Sequence, residues 1–216
     1  MLSSGIKRLD ELLGGGVEEG RVILIETIAG LGDLLALNFV AESLRRGDRC
    51  FVILGRKRIK DVKKFLEDKG VDTSKVTIVT TSERSERRLS LDELFLISHT
   101  IKELAKSTRF GNIDILQPLL ILYDPKKIYS LFSEIIHILK ESNVTTVLTI
   151  DKRFVDDRTL AMFEELADVV IEIEEIIDKL RVRRGIRIKK NSLSPPTDFY
   201  TLEIDEGGFK IGKRIE

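Results

Sequence analysis

The chain has 216 residues, 42% hydrophobic and 33% charged, which excludes a disordered chain and leaves enough length to bury one substantial core. Lysine plus arginine and aspartate plus glutamate balance at 36 each, so no overall field draws it to nucleic acid or to an acidic substrate. One cysteine excludes a disulfide framework, and no apolar run reaches the ~18 residues of a membrane span, so the expected location is the cytoplasm without a membrane anchor.

Residues 5–20, GIKRLDELLGGGVEEG, predict a short helix stopped by three glycines and followed by a turn. A buried strand follows at 22–26, then a glycine turn, then an amphipathic helix over 33–46 closed by Gly47. CFVIL at 50–54 reads as a second strand, with Cys50 a buried structural thiol. A helix over 59–69 sets Ile59, Val62, Phe65 and Leu66 on one face, and a third strand covers 76–79. TTSERSERRLS at 80–90 is polar and is expected to be an exposed loop, after which a helical period runs through Leu94, Ile97, Ile101 and Leu104. Beyond Pro118, the apolar run LLILY at 119–123 predicts a strand ending at Asp124. A helix over 127–142, a strand over 145–150, a helix over 158–166 and a strand over 169–173 continue the alternation. The segments 180–190, 199–204 and 209–211 then predict antiparallel strands. The order implies an α/β fold of three layers: a mainly parallel sheet covered on both faces, closing in an antiparallel meander, in one domain over 1–216. Gln117 is the only glutamine while Lys, Arg and Glu abound, a bias that fits a hyperthermophile.

The stretch RVILIETIAGLGDLLALN at 21–38 holds the strand, glycine turn and helix of a phosphate-binding loop, G-x-x-x-x-G-K-[ST], whose backbone N–H groups and lysine cradle phosphates. The register is kept and the side chains differ. Thr27 stands at the first glycine, followed by Ile28, Ala29, Gly30, Leu31 and Gly32; Asp33 stands at the lysine and Leu34 at the magnesium-binding hydroxyl. A carboxylate in place of an ammonium ~4 Å from a phosphate charge turns about 4 kcal/mol of attraction into a repulsion of the same size, at an effective dielectric of ~20. The bare turn could still hold an anion through its N–H groups. Against that, Asp33 in the first helical turn supplies the negative charge the helix dipole favours, leaving the loop capped by its own side chain.

The order of parts resembles the RecA-like P-loop ATPases, most closely their KaiC-like archaeal branch, over nearly the full length. The opening phrase is similar to that branch's G-[IV]-x-x-L-D-x-[LM]-L-G-G-G-[IV]-x-x-G, with Leu9, Asp10, Leu13, Gly14, Gly15, Gly16 and Gly20 in register. ADVVIEI at 167–173 and GIRIKKNSLSPPTDFYTLEIDEGGFKI at 185–211 resemble its last parallel strand and closing hairpin. The resemblance implies two glutamates just after the second strand, one of them polarising the attacking water; Gly55 and Arg56 stand there instead. It also implies a Walker B aspartate, assigned to Asp124 at the end of LLILYD, and a basic hairpin residue, nearest to Lys189 or Lys190, that reaches a neighbouring subunit's nucleotide.

Each remaining feature has a bland counterpart. Asp33 and Asp124 could share a divalent cation, but two carboxylates are a thin cage and Asp124 could simply end its strand. The run Arg181, Arg183, Arg184, Arg187, Lys189 and Lys190 is either a phosphate-binding patch, extended by Arg56, Lys57, Arg58, Lys60, Lys63 and Lys64, or a solvated hairpin paired with Glu172, Glu174, Glu175 and Asp178. The run itself holds no aromatic residue to stack bases. His99 and His137 lie in amphipathic helices without a nucleophile-like partner. The reading that follows is a degenerate, non-catalytic relative of the KaiC-like ATPases, a binding or regulatory module with a protein partner or self-association. No metal and no cofactor are expected, ATP with magnesium included. The alternatives are a nucleic-acid-binding accessory protein of the recombinase type, and an ATPase with an atypical loop that borrows a cation such as Arg56.

Overall fold

The computed structural model describes residues 1–28, 30–55, 57–81, 88–178, 181–205 and 208–215, with the backbone alone at Asp178 and Arg181. Helix α1 (Lys7–Leu12) leads into β1 (Val22–Thr27), α2 (Leu31–Arg45), β2 (Cys50–Leu54), α3 (Ile59–Asp68) and β3 (Val76–Thr80). Then come α4 (Leu94–Ala105), β4 (Phe110–Asp114), α5 (Leu116–Leu122), α6 (Pro125–Glu141), β5 (Thr145–Asp151) and α7 (Asp157–Leu166). Strands β6 (Val169–Asp178), β7 (Arg181–Asn191), β8 (Tyr200–Asp205) and β9 (Gly208–Arg214) close the chain. All nine join one sheet in the order β3-β2-β4-β5-β1-β6-β7-β8-β9, parallel through β6 and antiparallel from β6 onward.

The central strands are apolar on both sides because helices cover both sides. Ile23 and Ile25 of β1 point to a cluster with Leu35, Phe39 and Val40 of α2 and Val62 and Leu66 of α3. Val22 and Leu24 point the other way, to Ile97 and Ile101 of α4, Phe132 and Ile135 of α6 and Phe163 of α7. Burying a single such side chain contributes roughly 1.5–3 kcal/mol, so both layers are strongly fixed to the sheet.

One strand is not where the apolar run places it. LLILY at 119–123 falls mostly within helix α5, and the strand of this part of the sheet is the more polar FGNID, β4. Pro118 fits early in α5, where its missing N–H breaks no intrahelical bond. Asp124 therefore ends no strand: it is the N-cap of α6, accepting the Lys126 N–H at 2.9 Å, with Pro125 at the first helical position. The polar loop expected at 80–90 lies largely outside the described residues; Thr80 and Arg88 at its two ends form an isolated bridge.

Candidate functional site

Strand β1 delivers Thr27 to the carboxyl edge of the sheet, where the loop turns into α2. Gly30 takes a left-handed conformation (φ 75°) as the helix N-cap, and the Leu31 N–H bonds to the Ile28 carbonyl at 3.3 Å. The buried Thr27 hydroxyl accepts the Gly32 N–H at 2.7 Å, so one of the helix's free donors is satisfied within the loop. A β-carbon at Gly32 would stand 2.8 Å from Thr27 Cβ and 2.9 Å from Ile25 Cγ2, which is why helix and strand approach this closely only with glycine there. Ala29 lies outside the described residues. Leu34 contributes its carbonyl, which accepts the Asn38 amide at 3.0 Å.

Asp33 does not stand alone. Lys57, from the turn after β2, places its Nζ 3.4 Å from Asp33 Oδ2, and the two side chains are 27% and 13% exposed. The cation beside the loop comes from position 57. Arg56, singled out from the sequence for this part, lies outside the described residues. Nothing in the local sequence pattern pairs 33 with 57, because the contact depends on the strand order, in which β4 and β5 lie between β2 and β1.

Gly55 follows β2 against the end of β4. A β-carbon there would overlap the Asp114 carbonyl oxygen and stand 3.0 Å from Pro118 Cγ. A side chain at this position therefore requires the end of β4 or Pro118 to shift. Gly55→Ala is expected to lower stability by about 1–2 kcal/mol, read as a shift in the urea midpoint with unchanged slope.

The strand-end carboxylate of this edge is Asp114, which sequence reasoning missed. It is buried, accepts the Thr149 hydroxyl at 3.3 Å, and lies opposite Leu54 in the β2–β4 register. Asp151 ends β5 beside Thr27 and is gripped by the Arg153 guanidinium at 2.6 Å. Asp124 is removed from this row to the start of α6, so the cation cage imagined between Asp33 and Asp124 is replaced by the Asp33–Lys57 pair. Among the described residues, no three His, Cys, Asp or Glu side chains gather to hold a metal ion.

The basic run on β7 is divided by the alternation of the strand. Arg187 bonds Glu172 at 2.6 Å and stacks 4.7 Å over the Phe199 ring, and Lys189 bonds Glu26 at 3.2 Å and Glu164 at 2.8 Å. Lys190 donates to the Glu164 and Ala167 carbonyls at the end of α7. Arg184 faces Glu175 at 3.8 Å, Arg183 is exposed, and the Arg181 side chain lies outside the described residues. Lys189 and Lys190 are thus engaged inside their own chain.

A family model described as "ATPase: KaiC" matches residues 2–216. The chain belongs to the KaiC ATPase family. A crystal structure of a KaiC-like protein from the hyperthermophilic archaeon Pyrococcus horikoshii superposes with a TM-score of 0.76 at 24% identity, covering 97% of each chain, and shares the RecA-like fold. No curated protein sequence matches.

The family's opening phrase has a structural basis in this KaiC-family chain. Asp10 accepts the Ser4 N–H and hydroxyl, both at 2.7 Å, and the Ser3 hydroxyl at 2.5 Å, while Leu9 and Leu13 are fully buried. Gly16 has φ 116° against the Leu2 carbonyl, which only glycine tolerates. Asp168 of the ADVVIEI phrase accepts the Val22 N–H and the Lys140 ammonium, each at 2.9 Å, fixing where β1 begins.

The pairing of the basic run with β6, one of the two readings of that run, is seen in Arg187–Glu172 and Arg184–Glu175. What sequence reading missed is that it extends to Glu26, Lys152 and Glu164 in a partly buried charge network. Glu26, fully buried at the end of β1, shares Lys189 with Glu164; Glu172 is held by Lys152 and Arg187, and Lys152 also reaches Glu174. Burial, then the neighbouring Glu164 carboxylate, pushes Glu26 up to about 7 despite Lys189. Burial acts on Glu172 in the same direction, but the hydrogen bonds from Lys152 and Arg187 outweigh it and hold that carboxyl below its usual range. Four carboxylates and three cations make the difference. Glu26 is the carboxylate left short.

The remaining candidates are structural. Burial pushes the Cys50 thiol up to about 12, so it is unreactive. His137 lies 3.3 Å from Glu141 on the surface of α6, and His99 stacks on Phe95. No described helix is long and apolar enough to cross a membrane.

Proposed function

We propose that this chain is a non-hydrolysing member of the KaiC family, acting as a binding or regulatory module that meets a protein partner or further copies of itself. The observation that carries this reading is the Asp33–Lys57 ion pair at the place of the loop lysine. A triphosphate needs positive charge and free N–H groups at that point. Here a carboxylate stands at the helix start, its counterion is already engaged, and the Thr27 hydroxyl occupies the Gly32 N–H. Leu34 offers no oxygen from its side chain for magnesium, and Gly55 and Arg56 supply no carboxylate at the two glutamate positions. The residues present do not fit Mg-ATP, and no hydrolytic step runs through them.

Thermal unfolding with and without millimolar Mg-ATP tests this directly. A ligand at a hundred times its Kd stabilises a fold by about 2.7 kcal/mol, or roughly 5–11 °C for a domain of this size. No shift and no phosphate release are expected. A shift of that order, abolished in Lys57→Ala, replaces the proposal with an ATPase whose loop cation comes from position 57.

A further inference from the structure

The last four strands do not form an even meander. Strands β7 and β8 pair only at Gly185 with Thr201 and Ile186 with Tyr200, although β7 runs from Arg181 to Asn191 and β8 from Tyr200 to Asp205. Beyond that base the β6–β7 hairpin and the β8–β9 hairpin separate. A cleft of about 660 Å³ opens between them, lined by Val182, Arg183 and Arg184 on one side and Thr201 to Asp205 on the other. Beyond the Gly185–Thr201 pair, and among the described residues, Val182 to Arg184 are paired with β6 and Leu202 to Asp205 with β9, and not across the cleft. Two open backbone edges therefore face each other, each a template for strand addition.

The side chains select what lies between them. Ile177 and Val182 sit opposite one another in the β6–β7 register, on the face that carries the buried Ile173 and Ile186, yet they are 75% and 62% exposed. Across the cleft, Leu202 belongs to the apolar cluster of the same face, and Ile204 follows it at the two-residue spacing. Arg184 stands on that face as well, between Val182 and Ile186, and is drawn to Glu175. On the opposite face the cleft is lined by Arg183 on one wall and by Glu203 and Asp205 on the other. A strand lying in the cleft has every second side chain between Val182 and Leu202 or Ile204, and the others among these polar groups.

We infer that the fork between β7 and β8 is a slot for one extended segment of another protein, alternating apolar and polar residues and hydrogen-bonded on both of its edges. A folded second copy of this chain cannot supply that segment from its sheet, because each of the nine strands is already bonded on at least one edge. An inserted strand needs both edges free. None of the residues lining the slot belongs to the loop at 27–34, so the inference does not depend on whether nucleotide binds there.

The test is amide exchange on the full chain with an eight-residue peptide alternating valine and threonine, flanked by lysines for solubility. The expected result is at least tenfold slower exchange on both edges together, at 182–184 and at 202–205. The same peptide with a central proline should leave exchange unchanged, because it lacks a donor and cannot stay extended in register. Val182→Asp, at an exposed position that leaves folding intact, should weaken binding about tenfold, the loss of one apolar contact. Unchanged exchange at millimolar peptide overturns the inference. So does slowing on one edge alone, which is simple edge addition, or slowing without peptide that grows with protein concentration, which means that copies of the chain fill the fork.

Discussion

Glu26→Gln is expected to stabilise the protein by about 3 kcal/mol above pH 8 and by less than about 1 kcal/mol at pH 5. The difference follows from linkage. Glu26 has an ordinary value of 4.5 and sits at about 7 in the fold, so between those values the folded chain holds a proton that the unfolded chain has released. The contribution of Glu26 is therefore full below about pH 4.5, falls as pH rises toward 7, and stays low above it. Glutamine keeps an acceptor for Lys189 and removes the charge, so the loss disappears. For a domain of this length the gain corresponds to roughly 6–12 °C in Tm at pH 8.5. Lys189→Met supplies the internal check. Without the shared cation the Glu26 carboxyl moves higher still, and the fall in stability extends past pH 8. An equal effect of Glu26→Gln at both pH values would show that Glu26 is not the group that titrates.

Gly111→Ala is the second large effect, a loss of about 3 kcal/mol. Gly111 lies in the middle of β4, directly opposite Phe51 of β2, and a β-carbon there would overlap the edge of the Phe51 ring, with three ring carbons within 2.8 Å. Both residues are fully enclosed by the sheet's neighbours, so the ring cannot turn aside without leaving its own site. Urea unfolding of Gly111→Ala, Phe51→Leu and the double variant measures the coupling. The double variant should be more stable than the sum of the single losses by 1 kcal/mol or more. Strict additivity would mean that the two positions do not share space.

Gly111 also explains why part of this fold was hidden in the sequence. Elements whose apolar period is strong were legible: β1, β2, β5, β6, the helices over them, and the antiparallel close all fall within a few residues of expectation. Strand β4 was not, because its inward positions are filled by Gly111 and Asn112, one needed for a ring from β2 and the other polar, while the adjacent helix α5 carries the longer apolar run. That exchange moved the strand-end aspartate from Asp114 to Asp124. The strand, glycine turn and helix over 22–45 were legible, but the charge that meets Asp33 was not. Lys57 and Asp33 meet only because of strand order, and Glu26 and Lys189 are 163 residues apart. Sequence patterning reports which face a residue occupies; it does not report which opposite charge a distant part of the chain brings to it.

The Asp33–Lys57 pair also limits what a substitution at either position can do. A lysine restored at position 33 alone would set two ammonium groups side by side, and removal of Lys57 alone would leave a partly sheltered carboxylate without its counterion. Neither single substitution runs downhill. The two positions are coupled, and a cation placed at 33 is best tolerated when position 57 changes with it.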